Sequence, residues 1–225
     1  MRAKLTMSTI LLMSAASLSC GEGGPDTCMN CPPVVAVFEG VIAGNDGAES
    51  GTISLELDED GSGSGSFRIG NGAPVVLSSV GTTGTALTAS GGGFTFTGTV
   101  SGIFIDGSYT GGAGGLIAAA ELAGQTTLVQ FCAAHDAGGG VAGVFAFVYN
   151  TTTNAVRGAW TSGTGAGAAF KGIISGFTGD DLGVMSGHTG TVTILPDLQN
   201  GTVGGFYDFT ASTGETGSLS GPECS

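Results

Sequence analysis

The chain has 225 residues, of which 45 are glycine and only 10% are charged, with 18 acidic residues against five basic ones. Each interior glycine costs a helix about 1 kcal/mol relative to alanine, which argues against a helical bundle, and the glycines lack the three-residue period of collagen. A hydrophobic content of 41% and a mean hydropathy of +0.35 argue against disorder, which leaves a many-turned β protein.

The first twenty residues read as an export signal. Arg2 and Lys4 precede a mostly apolar run from Leu5 to Ala16, and small residues lead to Cys20. This is the secretory order, and the run is shorter than the ~20 residues that span a bilayer as a helix. Residues 1–19 are therefore read as a signal peptide. The stretch Ser17-Leu18-Ser19-Cys20 resembles the lipobox of bacterial lipoproteins, with Ser17 standing where that family favours Leu. The resemblance covers this segment alone. It implies lipidation of Cys20 as the mature N-terminus and attachment to a membrane through the lipid. With Gly21 rather than Asp next, it also implies an address at the outer membrane of the cell envelope. The plainer reading is an ordinary signal peptide cleaved near Ser19. Residues 20–33 form a polar tether that opens GEGGPD after the cysteine. The mature chain carries three basic residues against 18 acidic ones, a formal charge of −15. Nothing in it forms a basic stripe, so nucleic acid is not an expected partner.

With Cys20 assigned to lipid, Cys28, Cys31, Cys132 and Cys224 remain. An even number in an exported chain predicts two disulfides, for which three connectivities exist. The placement favours bridges from the CMNC segment, Cys28 to Cys31, to Cys132 and Cys224. A redox CxxC would open a helix beside a βαβ unit, whereas Pro32 and Pro33 follow here. A zinc site would need a second close pair.

From Val34 onward, short alternating runs are broken by Gly, Asn, Asp and Thr. Thr52 to Asp58 places Ile53, Leu55 and Leu57 on one face, and Phe94 to Val100 and Gly190 to Ile194 repeat the pattern. Val144 to Tyr149 is apolar on both faces, which predicts a doubly covered strand. Period-two alternation marks strands, and turn signals every eight to twelve residues or so mark an antiparallel all-β sandwich or barrel. Hairpin turns are expected at Asp58 to Gly63, Asn150 to Asn154 and Asp197 to Gly201. Gly115 to Gly124, GLIAAAELAG, is the one stretch that could form a short helix.

Residues 34–225 form the β domain, and its halves, 34–124 and 125–225, read as repeats. A shift of roughly 92 to 98 residues aligns the strand at Gly51 with that at Gly143, Pro74 with Ala169, and the GGFTFTGTV segment with HTGTVTI. Two small lobes and one larger barrel both fit. In strand spacing and turn composition the domain is similar to the avidin and lipocalin meander barrels. The similarity implies no ligand, since avidin-type pockets use several tryptophans and this chain has only Trp160.

The chemistry that an enzyme needs is sparse. Two histidines, five basic residues and no nucleophile, zinc-helix or phosphate-loop motif give no catalytic residue and no cofactor. Glycine-rich GGGFTF and GGAGG lack the lysine of a phosphate cradle. The acidic turn Asp58, Glu59 and Asp60 is the weak candidate for a hard cation, and a solvated hairpin turn is its ordinary reading. His135-Asp136 and Asp180-Asp181 read as exposed loops. Trp160, Phe145, Phe147, Phe206 and Tyr207 read as core, or as a ligand platform if they cluster on an exposed face. The leading expectation is a non-enzymatic envelope lipoprotein with a structural, adhesive or binding role. The alternatives are a barrel that binds a small ligand and, less favoured, a glycan hydrolase with paired carboxylates.

Overall fold

Alternation is translated directly into strands. Among the described residues (34–123, 127–136, 142–162, 167–175, 178–180, 191–210 and 215–224) the computed structural model contains strands and turns and no helix. Two antiparallel sheets divide them.

The first sheet, lobe 1, holds β1 (Val34–Gly44), β2 (Ser50–Asp58), β3 (Ser62–Ile69), β4 (Val75–Val76), β5 (Ser79–Thr83), β6 (Ala86–Gly91), β7 (Phe94–Ser101), β8 (Phe104–Thr110) and β9 (Gly115–Glu121). Its order is β2-β1-β9-β8-β7-β6-β5-β3-β4, and β2 also pairs with β3, so the sheet closes into a barrel with β4 as a short addition. Closure removes the open edges that would otherwise invite pairing with another chain.

The second sheet, lobe 2, holds β10 (Leu128–Asp136), β11 (Ala142–Asn150), β12 (Ala155–Ser162), β13 (Gly167–Ser175), β14 (Thr178–Asp180), β15 (Thr191–Asp197), β16 (Thr202–Phe209) and β17 (Glu215–Pro222). Its order is β14-β13-β12-β11-β10-β17-β16-β15, a half-barrel whose edge strands β14 and β15 approach each other.

The two meanders are the same device used twice. In each, the first strand pairs with both the second and the last: β1 with β2 and β9, β10 with β11 and β17. Ser50 and Ala142 both open the second strand of their meander, and Asp58 and Asn150 both close it. The hairpins expected at Asp58, Asn150 and Asp197 join β2 to β3, β11 to β12 and β15 to β16.

One expectation is overturned. Gly115 to Glu121 is strand β9, not a helix. Alanine and leucine favour a helix, but the segment is buried on both sides, with Ile117 and Ala119 in the lobe 1 core and Ala118 and Ala120 in the layer between the sheets. Small side chains on both faces suit a strand held between two packed layers, and burial outweighs an intrinsic preference of a few tenths of a kcal/mol per residue.

The same double coverage explains β11. Phe145, Phe147 and Tyr149 fill lobe 2, while Val144, Ala146 and Val148 meet Val41, Ala43 and Ala118 of lobe 1. The lobes therefore share a third apolar layer built largely of alanine and valine.

Candidate functional site

Among the described residues, each lobe packs apolar side chains into a core of its own. In lobe 1, Phe38, Ile42, Phe67, Phe96 and Ile105 are buried together, and the Phe96 and Tyr109 rings stack at 5.8 Å. The Tyr109 hydroxyl donates to the Glu49 carboxylate at the mouth. Burial first, then the hydrogen bond to Glu49 and after it the Glu49 charge, raises the Tyr109 pKa well above the usual tyrosine range.

In lobe 2, Trp160, Phe145, Phe147 and Tyr207 are core residues, whereas Phe206 of the same set is 56% exposed on the outer face of β16. The five aromatic residues therefore do not form a platform.

His135 corrects a sequence expectation. It is not in an exposed loop but in β10, 3% exposed, in a box of Trp160, Phe145 and Tyr207. Its Nε2 lies 2.9 Å from the Thr161 carbonyl and its Nδ1 3.1 Å from the Tyr207 hydroxyl. A carbonyl only accepts, so Nε2 donates to Thr161, and in the neutral ring Nδ1 then accepts from the Tyr207 hydroxyl. Sequence reasoning missed this because the strand partner is Gly143, whose absent side chain is what leaves room for the ring. Asp180 likewise ends strand β14 rather than lying in a loop, and Asp181 lies outside the described residues.

The acidic turn is self-contained. The Asp60 carboxylate accepts from the Ser62 hydroxyl at 2.6 Å and from the Ser62 N–H at 2.9 Å, and the Asp58 carboxylate is 3.2 Å from that same hydroxyl. The Ser62 hydroxyl above all, then its N–H, lowers the Asp60 pKa. The two candidate oxygen donors thus converge on a serine, and among the described residues no group of three His, Cys, Asp or Glu side chains is placed to hold a metal ion.

Polar contacts punctuate the junction of the lobes. The Gln130 amide of β10 donates to the Gly40 carbonyl at 3.1 Å and to the Glu39 carboxylate at 3.2 Å. The Thr161 hydroxyl of β12 donates to the Gly44 carbonyl at 2.6 Å. Arg157 of β12 forms a salt bridge with Asp106 of β8, its guanidinium lying over the Phe104 ring. None of these was foreseen, although an arginine inside the apolar run AVRGAW was a readable sign of a buried partner.

The disulfide pattern is also corrected. Cys132 and Cys224 are bonded to each other, not to the CMNC segment. Their strands are neighbours: β10 pairs with β17, Phe131 bridges Glu223, and the Cys224 N–H donates to the Gln130 carbonyl at 2.8 Å. That register brings the two Cα atoms to 4.9 Å across a sequence separation of 92. Closing a loop of that length is worth about 4 to 5 kcal/mol in the chain-entropy account. Cys20, Cys28 and Cys31 lie outside the described residues.

Beside this disulfide the lobes leave a cleft of about 140 Å³. Ser50, Gly51 and Asn71 of lobe 1 line one side, and the disulfide and Glu223 line the other. Residues bearing a hydroxyl, an amide and a carboxylate thus line the cleft together with Pro222 and the disulfide, and such groups can donate and accept hydrogen bonds. The carboxylate at Glu223 is positioned by its backbone, whose N–H donates to the Gly201 carbonyl at 2.8 Å.

No protein-family model matches the chain, and no curated protein matches it. Among solved structures, the Myxococcus xanthus hemagglutinin, crystallised in complex with a3,a6-mannopentaose, is similar over 82% of this chain and 99% of its own, at 12% identity and a TM-score of 0.24. Similarity at that level establishes neither a shared fold nor a shared ligand.

Proposed function

We propose that the chain is a non-enzymatic binding protein of the bacterial cell envelope, attached through lipid on Cys20, and that its ligand seats in the cleft between the lobes. Of the readings available from the sequence, that of a barrel protein binding a small ligand is retained, with the ligand outside the barrels. The observation that carries it is the contrast between the apolar cores that the described residues form in each lobe and the polar residues Ser50, Asn71 and Glu223 that line the cleft. Ligand sites favour junctions between rigid units, where a few placed polar groups fix orientation. A cleft of about 140 Å³ is below the usual range for a whole drug-sized molecule and suits one small ring. Polar residues beside Pro222 and a disulfide suit a neutral polyhydroxylated ring, such as the terminal unit of a glycan. The acidic surface disfavours anionic ligands.

The test is binding of the purified protein to immobilised neutral glycans, with Asn71→Ala and Glu223→Ala in parallel. The expected result is retention of the wild type and loss in both variants, with no released sugar. Retention that both variants preserve would move the site elsewhere, and no retention of any glycan would end the ligand class. Uptake of labelled fatty acid by the wild type but not by Cys20→Ser checks the anchor separately.

A further inference from the structure

Four exposed apolar residues gather at one end of lobe 1. Val34 and Val35 begin β1 and are 50% and 58% exposed; Ile103 is 53% exposed and Leu122 38%. Backbone pairing makes them neighbours: the Leu122 N–H donates to the Val37 carbonyl, and the Glu121 N–H donates to the Ile103 carbonyl. Ile103 is the most unusual of them. Ser101 pairs with Phe104, so Gly102 and Ile103 form a two-residue hairpin tip, with Gly102 at φ +59° supplying the left-handed backbone. Such tips usually carry Gly, Asn, Asp or Ser, because an apolar side chain there faces water and stabilises nothing in the barrel.

This is the end at which the chain enters the barrel. Cys20 stands 14 residues before Val34, and a stretch of 14 residues reaches at most about 50 Å. We propose that the end of lobe 1 formed by Val34, Val35, Ile103 and Leu122 rests on the lipid surface to which the chain is anchored, a proposal that depends on the lipid-anchor reading of Cys20. The tether keeps this end within reach of the bilayer, and the anchored chain needs little further attraction to favour one orientation. The same end also carries Asp58, Glu59 and Asp60 in the β2–β3 turn, and Glu121 beside Leu122. Those carboxylates select a zwitterionic surface over an anionic one. The junction cleft, lined by Ser50 and Gly51 at the opposite end of β2 from the Val34–Asp58 pair, is then turned to the solvent side.

The experiment uses the full-length lipidated protein reconstituted into phosphatidylcholine vesicles, with Ile103→Trp and Val35→Trp as two independent reporters and Phe206→Trp as the comparison on lobe 2. Native Trp160 is buried and supplies a constant background. Replacing the lipid with its brominated form should quench the tryptophans at 103 and 35 and leave that at 206 unchanged. Adding anionic lipid should reduce the quenching. Protein that floats with the vesicles while neither reporter is quenched overturns the docking and leaves the anchor intact. Protein that does not float overturns the anchor and the docking together. Quenching at 206 instead reverses the orientation and also overturns the proposal, as does reporter burial that persists in vesicle-free detergent through self-association.

Discussion

Arg157 of lobe 2 and Asp106 of lobe 1 form a salt bridge across the junction, with the guanidinium carbon 5.0 Å from the centre of the Phe104 ring. Arg157 is 8% exposed and Asp106 18%, so both charges have left most of their water behind. Burial alone lowers the Arg157 pKa from its ordinary value. The pairing is incomplete, because Asp106 Oδ1 and Arg157 Nε have no hydrogen-bond partner among the described residues.

That geometry predicts an asymmetric mutational response. Removing one partner, as in Asp106→Leu or Arg157→Met, strands a buried charge and should cost about 3 kcal/mol. Replacing both with apolar residues, Asp106→Leu with Arg157→Met, should recover most of the loss, since the desolvation cost disappears with the charges. Denaturant unfolding of the four proteins measures the cycle. Equal and additive losses would show that the bridge behaves as two independent surface groups.

Gly143 and His135 are coupled through space rather than through a bond. A Cβ on Gly143 would lie 1.8 Å from His135 Nε2 and 2.3 Å from the Thr161 carbonyl. Gly143→Ala therefore forces the imidazole off Thr161 and overpacks the aromatic box, at a cost of about 2 to 3 kcal/mol. His135→Ala alone should also destabilise, by removing a buried ring and leaving the Thr161 carbonyl and Tyr207 hydroxyl with lost partners. The double variant should lose less than the sum, because contacting residues share one strain. Strict additivity in thermal or urea unfolding would refute the coupling.

These pairs mark the border of what could be read from the chain. Local alternation made β2, β7, β11 and β15 legible, as it did the hairpins at Asp58, Asn150 and Asp197, because those features depend on neighbouring residues only. The likeness of β2 and β11 was also legible, since Gly51 and Gly143 each stand second in a strand that holds the same place in its meander. What depended on the lobes meeting was not. The second buried face of β9, the acceptor for Thr161 and the partner of Arg157 come from residues distant in sequence. The adjacency of β10 and β17, and with it the Cys132–Cys224 bond, belongs to the same class. The junction cleft follows from that contact, so no motif in the chain could announce it.

Acid should loosen the loops before the barrels. The Asp46 carboxylate accepts from the Glu49 N–H at 2.8 Å and the Ala48 N–H at 3.0 Å, and those bonds, Glu49 first, lower its pKa from 3.8. Asp60, Asp197 and Asp208 are lowered in the same direction, mainly by the side chains of Ser62, Asn200 and Thr210 respectively. A carboxylate whose folded pKa lies below its unfolded one stabilises the fold above the unfolded value. That contribution is lost as the pH falls through the folded value. Stability should therefore be level in these groups above about pH 5 and decline below the ordinary Asp range near 4. Each group is exposed, so single Asp→Asn changes should move the curve little, whereas Asp46→Asn, Asp60→Asn, Asp197→Asn and Asp208→Asn together should flatten it. Urea midpoints measured from pH 7 to pH 2.5 test this, and a fourfold variant whose acid slope matches the wild type would place the acid sensitivity in other groups.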